Sequence, residues 1–308
     1  MQINRKKKLV AGLSITSNVI LSVLKIITGL LSGSLSIISE AIHSLSDLFA
    51  SLLTFFSVIK SSKPADSDHP YGHGKYEDMA GFIEGMLIVF ASLFIIFEAA
   101  RKIIGGTNFD NGSFLGIVVM FVAVIFNMIV SSLLFRVAKE SNSISLYADG
   151  EHLRTDIYSS LGVLCGLILI KITGHVLLDP IIAILVAVVI FRTGYSISQK
   201  AVSNLLDHSL PDNDMDEIKL IIKSYSGIKL KRNSLKARQV GASKDIDMIL
   251  QFPHETSICE CHKICDEVEK QIQLLYPNCS ISIHPEPVCY KMNCMNNCDK
   301  SHSAAEQA

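Results

Sequence analysis

Long apolar runs recur along this chain at about residues 9 to 31, 34 to 60, 78 to 104, 113 to 138, 144 to 172 and 176 to 198. Each reaches the ~20 residues that a helix needs to cross a ~30 Å hydrocarbon core. Short polar or glycine-containing breaks separate them, so the pattern predicts an α-helical polytopic membrane protein of six transmembrane helices. Composition agrees: 49% of the 308 residues are hydrophobic, none is Trp, and the mean hydropathy of +0.38 makes the chain more apolar than an ordinary soluble domain. A net charge of -1 offers no concentrated basic surface for phosphate, which excludes a nucleic-acid partner. Basic residues sort by side. With the N-terminus inside, Arg5 to Lys8, Lys60, Lys63, Lys75, Arg136, Lys139 and Lys200 all fall on the cytosolic face of the bilayer. Arg101, Lys102 and Lys171 run against the bias, but they are fewer and long enough to snorkel. The expected location is the cell membrane, multi-pass, with both termini in the cytosol. No cleaved signal is expected, because Arg5 to Lys8 lead into a run of spanning length without a small-residue cleavage pattern.

Ionisable residues inside two of these runs point to function. Glu40, His43 and Asp47 sit within the second run, and at i, i+3 and i+7 they share a helix face. At ~1.5 Å per residue His43 lies roughly 15 Å deep, near mid-membrane. A charge there costs on the order of 3 kcal/mol unless it is paired, hydrated or bound to a cation. The fifth run repeats the pattern with His152 and Asp156, again at i, i+4. Two helices that each offer one imidazole and one carboxylate can supply two nitrogens and two oxygens, the ligand count that suits tetrahedral Zn²⁺. A lone buried His-Asp pair also serves as a hydrogen bond between helices; two matched pairs favour the metal. Glu40 and Asp149 lie on or near the same faces and Glu151 is close in sequence, as proton relays or, as the preferred reading, as the lining of a water-filled vestibule.

The loop between the second and third runs gathers Asp66, Asp68, His69 and His73 among turn-forming Pro and Gly residues. These are also metal-ligand types, although histidines in a polar loop are commonly just solvated. From about Asp207 the composition turns soluble. A helix is expected over 212 to 225, strands over 229 to 240 and 244 to 252, a helix over 256 to 276 and a strand over 280 to 284. That αββαβ order predicts an α+β domain over 207–287, following a transport domain over 1–206. The Cys-bearing tail, 288–308, has too few apolar residues for a core and is expected to be disordered without a ligand.

Taken together, these residues resemble the cation diffusion facilitators. The resemblance rests on SEAIHSLSD in the second run, DxxHxxxHGKxE from Asp66 to Glu77, HxxxD in the fifth run and LLDHSLPD at the junction, and it covers about residues 8 to 287. It implies a homodimeric metal/proton antiporter of six spans, not an enzyme, with a ferredoxin- or metallochaperone-like cytosolic domain that regulates and dimerises. His43, Asp47, His152 and Asp156 match the family's membrane transport site; Asp66, His69 and His73 match its loop site. Lys75 and Asp207 match a charge pair linking the two domains. For the family's cytosolic two-metal site, His262, His284 and Glu286 fit three ligand positions, with Glu286 standing where Asp is usual. Asn233 and Ile249 occupy positions where histidines are expected. Cys261 and Cys265, at i, i+4, are candidate thiolate ligands there, with Cys259 nearby and Cys289, Cys294 and Cys298 in the tail; the alternative is reduced cysteines without metal.

The expected function is proton-coupled efflux of a divalent transition-metal cation, Zn²⁺ first. Metal ligands must be deprotonated, so proton and metal compete for one site. Fe²⁺, Co²⁺, Cd²⁺ and Mn²⁺ are the alternative cargoes, and a regulatory metal is a further role for Zn²⁺. Two rivals come from other classes. An intramembrane metallohydrolase would need an open coordination position, and no HExxH pattern is present. A membrane metal sensor would not need two ionisable pairs at bilayer depth.

Overall fold

The computed structural model describes residues 2–32, 35–105, 114–173 and 178–288. They form two compact units, one comprising residues 1–206 with 240–242 and the other 207–239 with the residues after 242.

The first unit is built from six helices: α1 (Gln2–Ser32), α2 (Leu35–Ser61), α3 (Lys75–Gly105), α4 (Phe114–Ser141), α5 (Ile144–Thr173) and α6 (Leu178–Leu205). Among the described residues four stretches are long and apolar enough to cross a membrane: Ile3–Thr28 in α1, Lys75–Arg101 in α3, Phe121–Ser141 in α4 and Pro180–Leu205 in α6. α2 and α5, at 27 and 30 residues, match them in length and carry the ionisable residues. The outer surface is apolar. On α3, Phe90, Phe94 and Phe97 are 61, 67 and 65% exposed, a band that water would penalise and lipid would not.

Small residues draw the helices together. A Cβ placed on Gly194 of α6 would meet the Gly85 carbonyl of α3 at 2.9 Å, and one on Gly85 would meet the backbone nitrogen of Ser198 at 2.9 Å. Glycine therefore permits an α3–α6 approach closed to any other residue. α4 and α5 are joined by a tight reversal. Asn142 adopts φ 51°, and the Ser143 N–H donates to the Ala138 carbonyl at 3.1 Å, closing α4 as a Schellman-type cap. α5 then starts at Ile144, which sets the turns on which Asp149, His152 and Asp156 stand.

The second unit runs α7 (Asp212–Lys223), β1 (Lys229–Leu230), β2 (Lys236–Val240), β3 (Ser243–Phe252), α8 (Ile258–Leu275) and β4 (Cys279–Pro287). The expected single strand over 229 to 240 is corrected to two short strands. Asn233, at φ 57°, lies in the turn between them, so the order is αβββαβ. β3 is central: β1 pairs with it antiparallel, β2 adjoins it, and β4 runs parallel to it with Ile249 opposite His284. Strand alternation buries Ile246, Met248, Leu250 and Phe252 of β3 against Ile218 and Ile222 of α7 and Cys265, Val268 and Ile272 of α8. Ser257 caps α8 by accepting the Glu260 N–H at 3.2 Å.

Candidate metal centres

Asp47 on α2 and His152 and Asp156 on α5 converge, each offering one ligand atom within 4.8 Å of the others. His152 Nε2 and Asp47 Oδ1 are 3.1 Å apart, close to the about 3.3 Å between neighbouring ligands of a tetrahedral ion with ~2.0–2.1 Å bonds. The spacing is thus compatible with one small cation. Asp47 and His152 are each about 5% exposed, and His152 Nδ1 has no hydrogen-bond partner. His43 stands on α2 one turn before Asp47; its side chain and that of Glu40 lie outside the described residues.

The loop set is ordered by its own backbone. Asp66 accepts the N–H groups of Asp68 at 3.2 Å and His69 at 2.8 Å, while the Gly72 N–H donates to the His69 carbonyl at 2.9 Å. Gly72 takes φ 83°, the left-handed conformation this reversal requires. Asp66, His69 and His73 thereby gather within ligand distance of one another. His73 is buried and its Nδ1 lies 3.2 Å from the Pro64 carbonyl, which can only accept. Nδ1 therefore carries a proton, and Nε2, 3.4 Å from Asp66, is the ring atom a metal would take. Hydrogen bonds from the His69 backbone hold the Asp66 carboxyl below its usual pKa, so it stays ionised for a cation.

The cytoplasmic candidates are only partly gathered. Cys261, His262 and Cys265 of α8 and Glu286 of β4 line one cavity of about 370 Å³. Glu286 is held by Lys231 at 2.9 Å, and His262 lies 3.6 Å from Asp266. His284 is not among the lining residues: it is exposed, and by alternation it points away from Ile281 and Ile283, which pack on the core. Among the described residues no further group of three or more His, Cys, Asp or Glu side chains gathers its ligand atoms in this way. Burial pushes the Cys265 thiol up, and the neighbouring Cys261 adds to the shift, so its thiolate is disfavoured. Cys289, Cys294 and Cys298 lie outside the described residues.

Comparison with known proteins places the chain in a lineage. Residues 12–206 match the cation efflux transmembrane domain and residues 210–288 the cytoplasmic domain of cation efflux proteins. The chain belongs to the cation diffusion facilitator family. An uncharacterized transporter, sll1263, of Synechocystis is 31% identical over 258 residues, covering 84% of this chain and 83% of the relative. The cation-efflux pump FieF of Shewanella oneidensis is 28% identical over 281 residues, 91% and 94% of the two chains. That of Escherichia coli K12 is 30% identical over 268 residues, 87% and 88%. This cation diffusion facilitator is accordingly a multi-pass membrane transporter of cations with a cytoplasmic C-terminal domain, and its role is transport, not enzymatic turnover.

The family resemblance drew attention to Lys75 and Asp207. Lys75 Nζ donates to the Leu205 carbonyl at 3.4 Å, and Asp207, at φ 58°, meets Arg238 at 3.1 Å. Two features escaped the sequence reading. Lys7 of α1 forms a buried ion pair with Glu77 of α3, which also accepts Ser143 and, at 2.7 Å, Ser61 of α2. This clamp gathers the helix ends nearest the loop set. Glu84 is fully buried in α3. A carboxylate inside an apolar run was a visible signal for it.

Proposed function

We propose that this transporter exports Zn²⁺ from the cytosol in exchange for protons, as a homodimer of six-span subunits with both termini in the cytosol. The observation that carries the reading is the convergence of Asp47, His152 and Asp156 inside the helix bundle. His43, one turn from Asp47 on α2, is the fourth ligand of the proposed set. α2 and α5 complete the six spans. Two imidazoles and two carboxylates favour Zn²⁺ over Mn²⁺ or Mg²⁺, which take more oxygens. Relatives named cation-efflux pumps support outward cation movement.

The coupling follows from the donors. An imidazole binds metal only when neutral, so a proton arriving on His43 or His152 removes a ligand and releases the ion. Metal binding on one side and protonation on the other, alternated by rocking of the helices, exchange the two cargoes. Asp66, His69 and His73 form a second metal site in the loop. Cys261, His262, Cys265 and Glu286, with His284, make up a regulatory region in a domain over 207–287 that also dimerises, and Lys75 and Asp207 tie it to the transport domain over 1–206.

The test is metal uptake into proteoliposomes that contain a pH dye, with Zn²⁺, Mn²⁺, Fe²⁺, Co²⁺ and Cd²⁺ offered singly. Zn²⁺ movement with opposing proton movement, lost in Asp47→Ala, is the expected result. Equal proton-coupled flux in Asp47→Ala would remove the site, and flux of another ion in place of Zn²⁺ would reassign the cargo.

A further inference from the structure

Glu84 of α3 and Asp149 of α5 are both fully buried, and Asp149 is the like-charged neighbour of Glu84. Consecutive turns of α2 donate a hydrogen bond to each, and Ser14 of α1 adds one to Asp149. Thr54 donates its hydroxyl to Glu84 Oε1, and the Ser51 hydroxyl donates to Asp149 Oδ1 at 3.2 Å. The outer oxygens, Glu84 Oε2 and Asp149 Oδ2, have no hydrogen-bond partner and no access to solvent. Lys7, whose helix α1 packs on α2, is engaged by Glu77. Two adjacent buried carboxylates with an unpartnered oxygen each call for a positive charge between them, because the cost of burying them alone runs to several kcal/mol per ion.

The pair also has a place on a route. Ser51 contacts Ser14 at 3.1 Å and Asn18 at 2.6 Å on α1, and Asn18 reaches the Asp47 carbonyl at 3.4 Å. Asp149 stands three residues before His152 on α5, a rise of about 4.5 Å. Thr54 is seven residues beyond Asp47 on α2, a rise of about 10.5 Å. Polar groups thus run from Glu84, through Ser51 and Asp149, to Asp47 and His152. Glu84 and Asp149 lie toward the helix ends that carry the Lys7–Glu77 clamp and the α2–α3 loop. On the topology proposed above, on which this step rests, that is the cytosolic end.

We propose that Glu84 and Asp149, with the hydroxyls of Thr54 and Ser51, form an oxygen-only cation site that stages a divalent metal on its way to Asp47, His152 and Asp156. The donor set is hard, with neither nitrogen nor sulfur, so it accepts a partly hydrated divalent ion and selects little among metals. The nitrogen-bearing set beyond it then binds Zn²⁺ more tightly. A conducting pathway needs this order, a weak site that fills and empties before a strong one.

Mn²⁺ favours oxygen ligands and reports them by electron paramagnetic resonance, so it is the probe. The full chain in detergent carries Asp156→Ala and His73→Ala, which disable the two His-containing sets. Adding Glu84→Gln or Asp149→Asn to this chain is expected to remove one bound Mn²⁺. In the otherwise wild-type chain, Glu84→Gln keeps the intense tetrahedral Co²⁺ absorption of the His-containing set, which shows that the bundle is folded, and raises the apparent KM for Zn²⁺ flux about tenfold. Absence of bound Mn²⁺ from the parent double variant overturns the site. So does an unchanged Mn²⁺ count in both acidic variants, including the case where proton-coupled flux falls, which would make the pair a proton carrier. Binding is read without a gradient or a vesicle, so failure of Zn²⁺ flux in the wild type breaks the export reading and leaves the Mn²⁺ result standing.

Discussion

Asp47, His152 and Asp156 offer the same donor types as Asp66, His69 and His73, yet the two sets are held by different physics. The first is drawn from two helices, with Asp47 and His152 buried and Asp156 half-buried, so its geometry depends on how α2 packs against α5. The second comes from eight consecutive residues of one loop, and its geometry depends on local turns and the Asp66 backbone contacts. Asp66 and His69 have side chains 51 and 42% exposed, so water screens them and can replace a lost ligand. In the bundle no such replacement is at hand, and a missing ligand leaves a buried charge uncompensated. The same donor types therefore carry different weight in the two places.

The sharpest contrast is a ligand deletion in each. Asp156→Asn is expected to lower Zn²⁺ flux about 100-fold or more, whereas His73→Ala lowers it about tenfold at most, bracketing the ~10- to 100-fold that supporting groups around a metal carry. Initial rates in proteoliposomes measure both; equal losses would erase the distinction between helix-held and loop-held sets.

A substitution that touches neither set separates them by mechanism. Gly194→Leu places a side chain where its Cβ alone would lie 2.9 Å from the Gly85 carbonyl and from Ile88. Overpacking of this kind typically costs ~1–3 kcal/mol. The expected outcome is a lower unfolding temperature and reduced flux, with metal binding at the loop unchanged by isothermal titration. Loss of loop binding as well would show that the loop depends on the bundle.

The smallest expected effect is a pH dependence confined to the loop. The Asp66 carboxyl is held below its ordinary value near 3.8 by the His69 N–H. Its ordering contribution is complete above that value and disappears as pH falls through the lower folded-state pKa. The Asp68 and His69 amides are expected to keep their hydrogen-exchange protection at pH 5 and to lose it at more acidic pH, while the helices stay protected. Loss of protection already near pH 5 would mean that Asp66 is not stabilised as an anion.

Much of the two sets was legible because it depends on local periodicity. His152 and Asp156, four residues apart, share a helix face wherever that helix lies, and Asp66 to His73 are close along any turn. The soluble domain was legible in its helices for the same reason: Cys265, Val268 and Ile272 make an apolar stripe that needs a sheet to cover it. The strand break at Asn233 was not, because Leu230 and Lys236 both suit a strand and the left-handed turn between them is decided by their pairing with β3. His284 shows the same limit. The resemblance groups it with His262 and Glu286, and its place opposite Ile249 is decided by the register of β4 on β3.

By itself the sequence determined that this chain fills a membrane with helices, places ionisable groups among them and ends in an α+β domain. Those outcomes follow from the cost of exposing or burying side chains and from helix and strand periods, which act over a few residues. Only the tertiary structure decided that Lys7 reaches Glu77 and that Glu84 meets Asp149, 65 positions later, across α2. Those partners lie on different helices, and it is the glycine-permitted approach of α3 to α6 and the capped reversal at Asn142 that help set which faces meet.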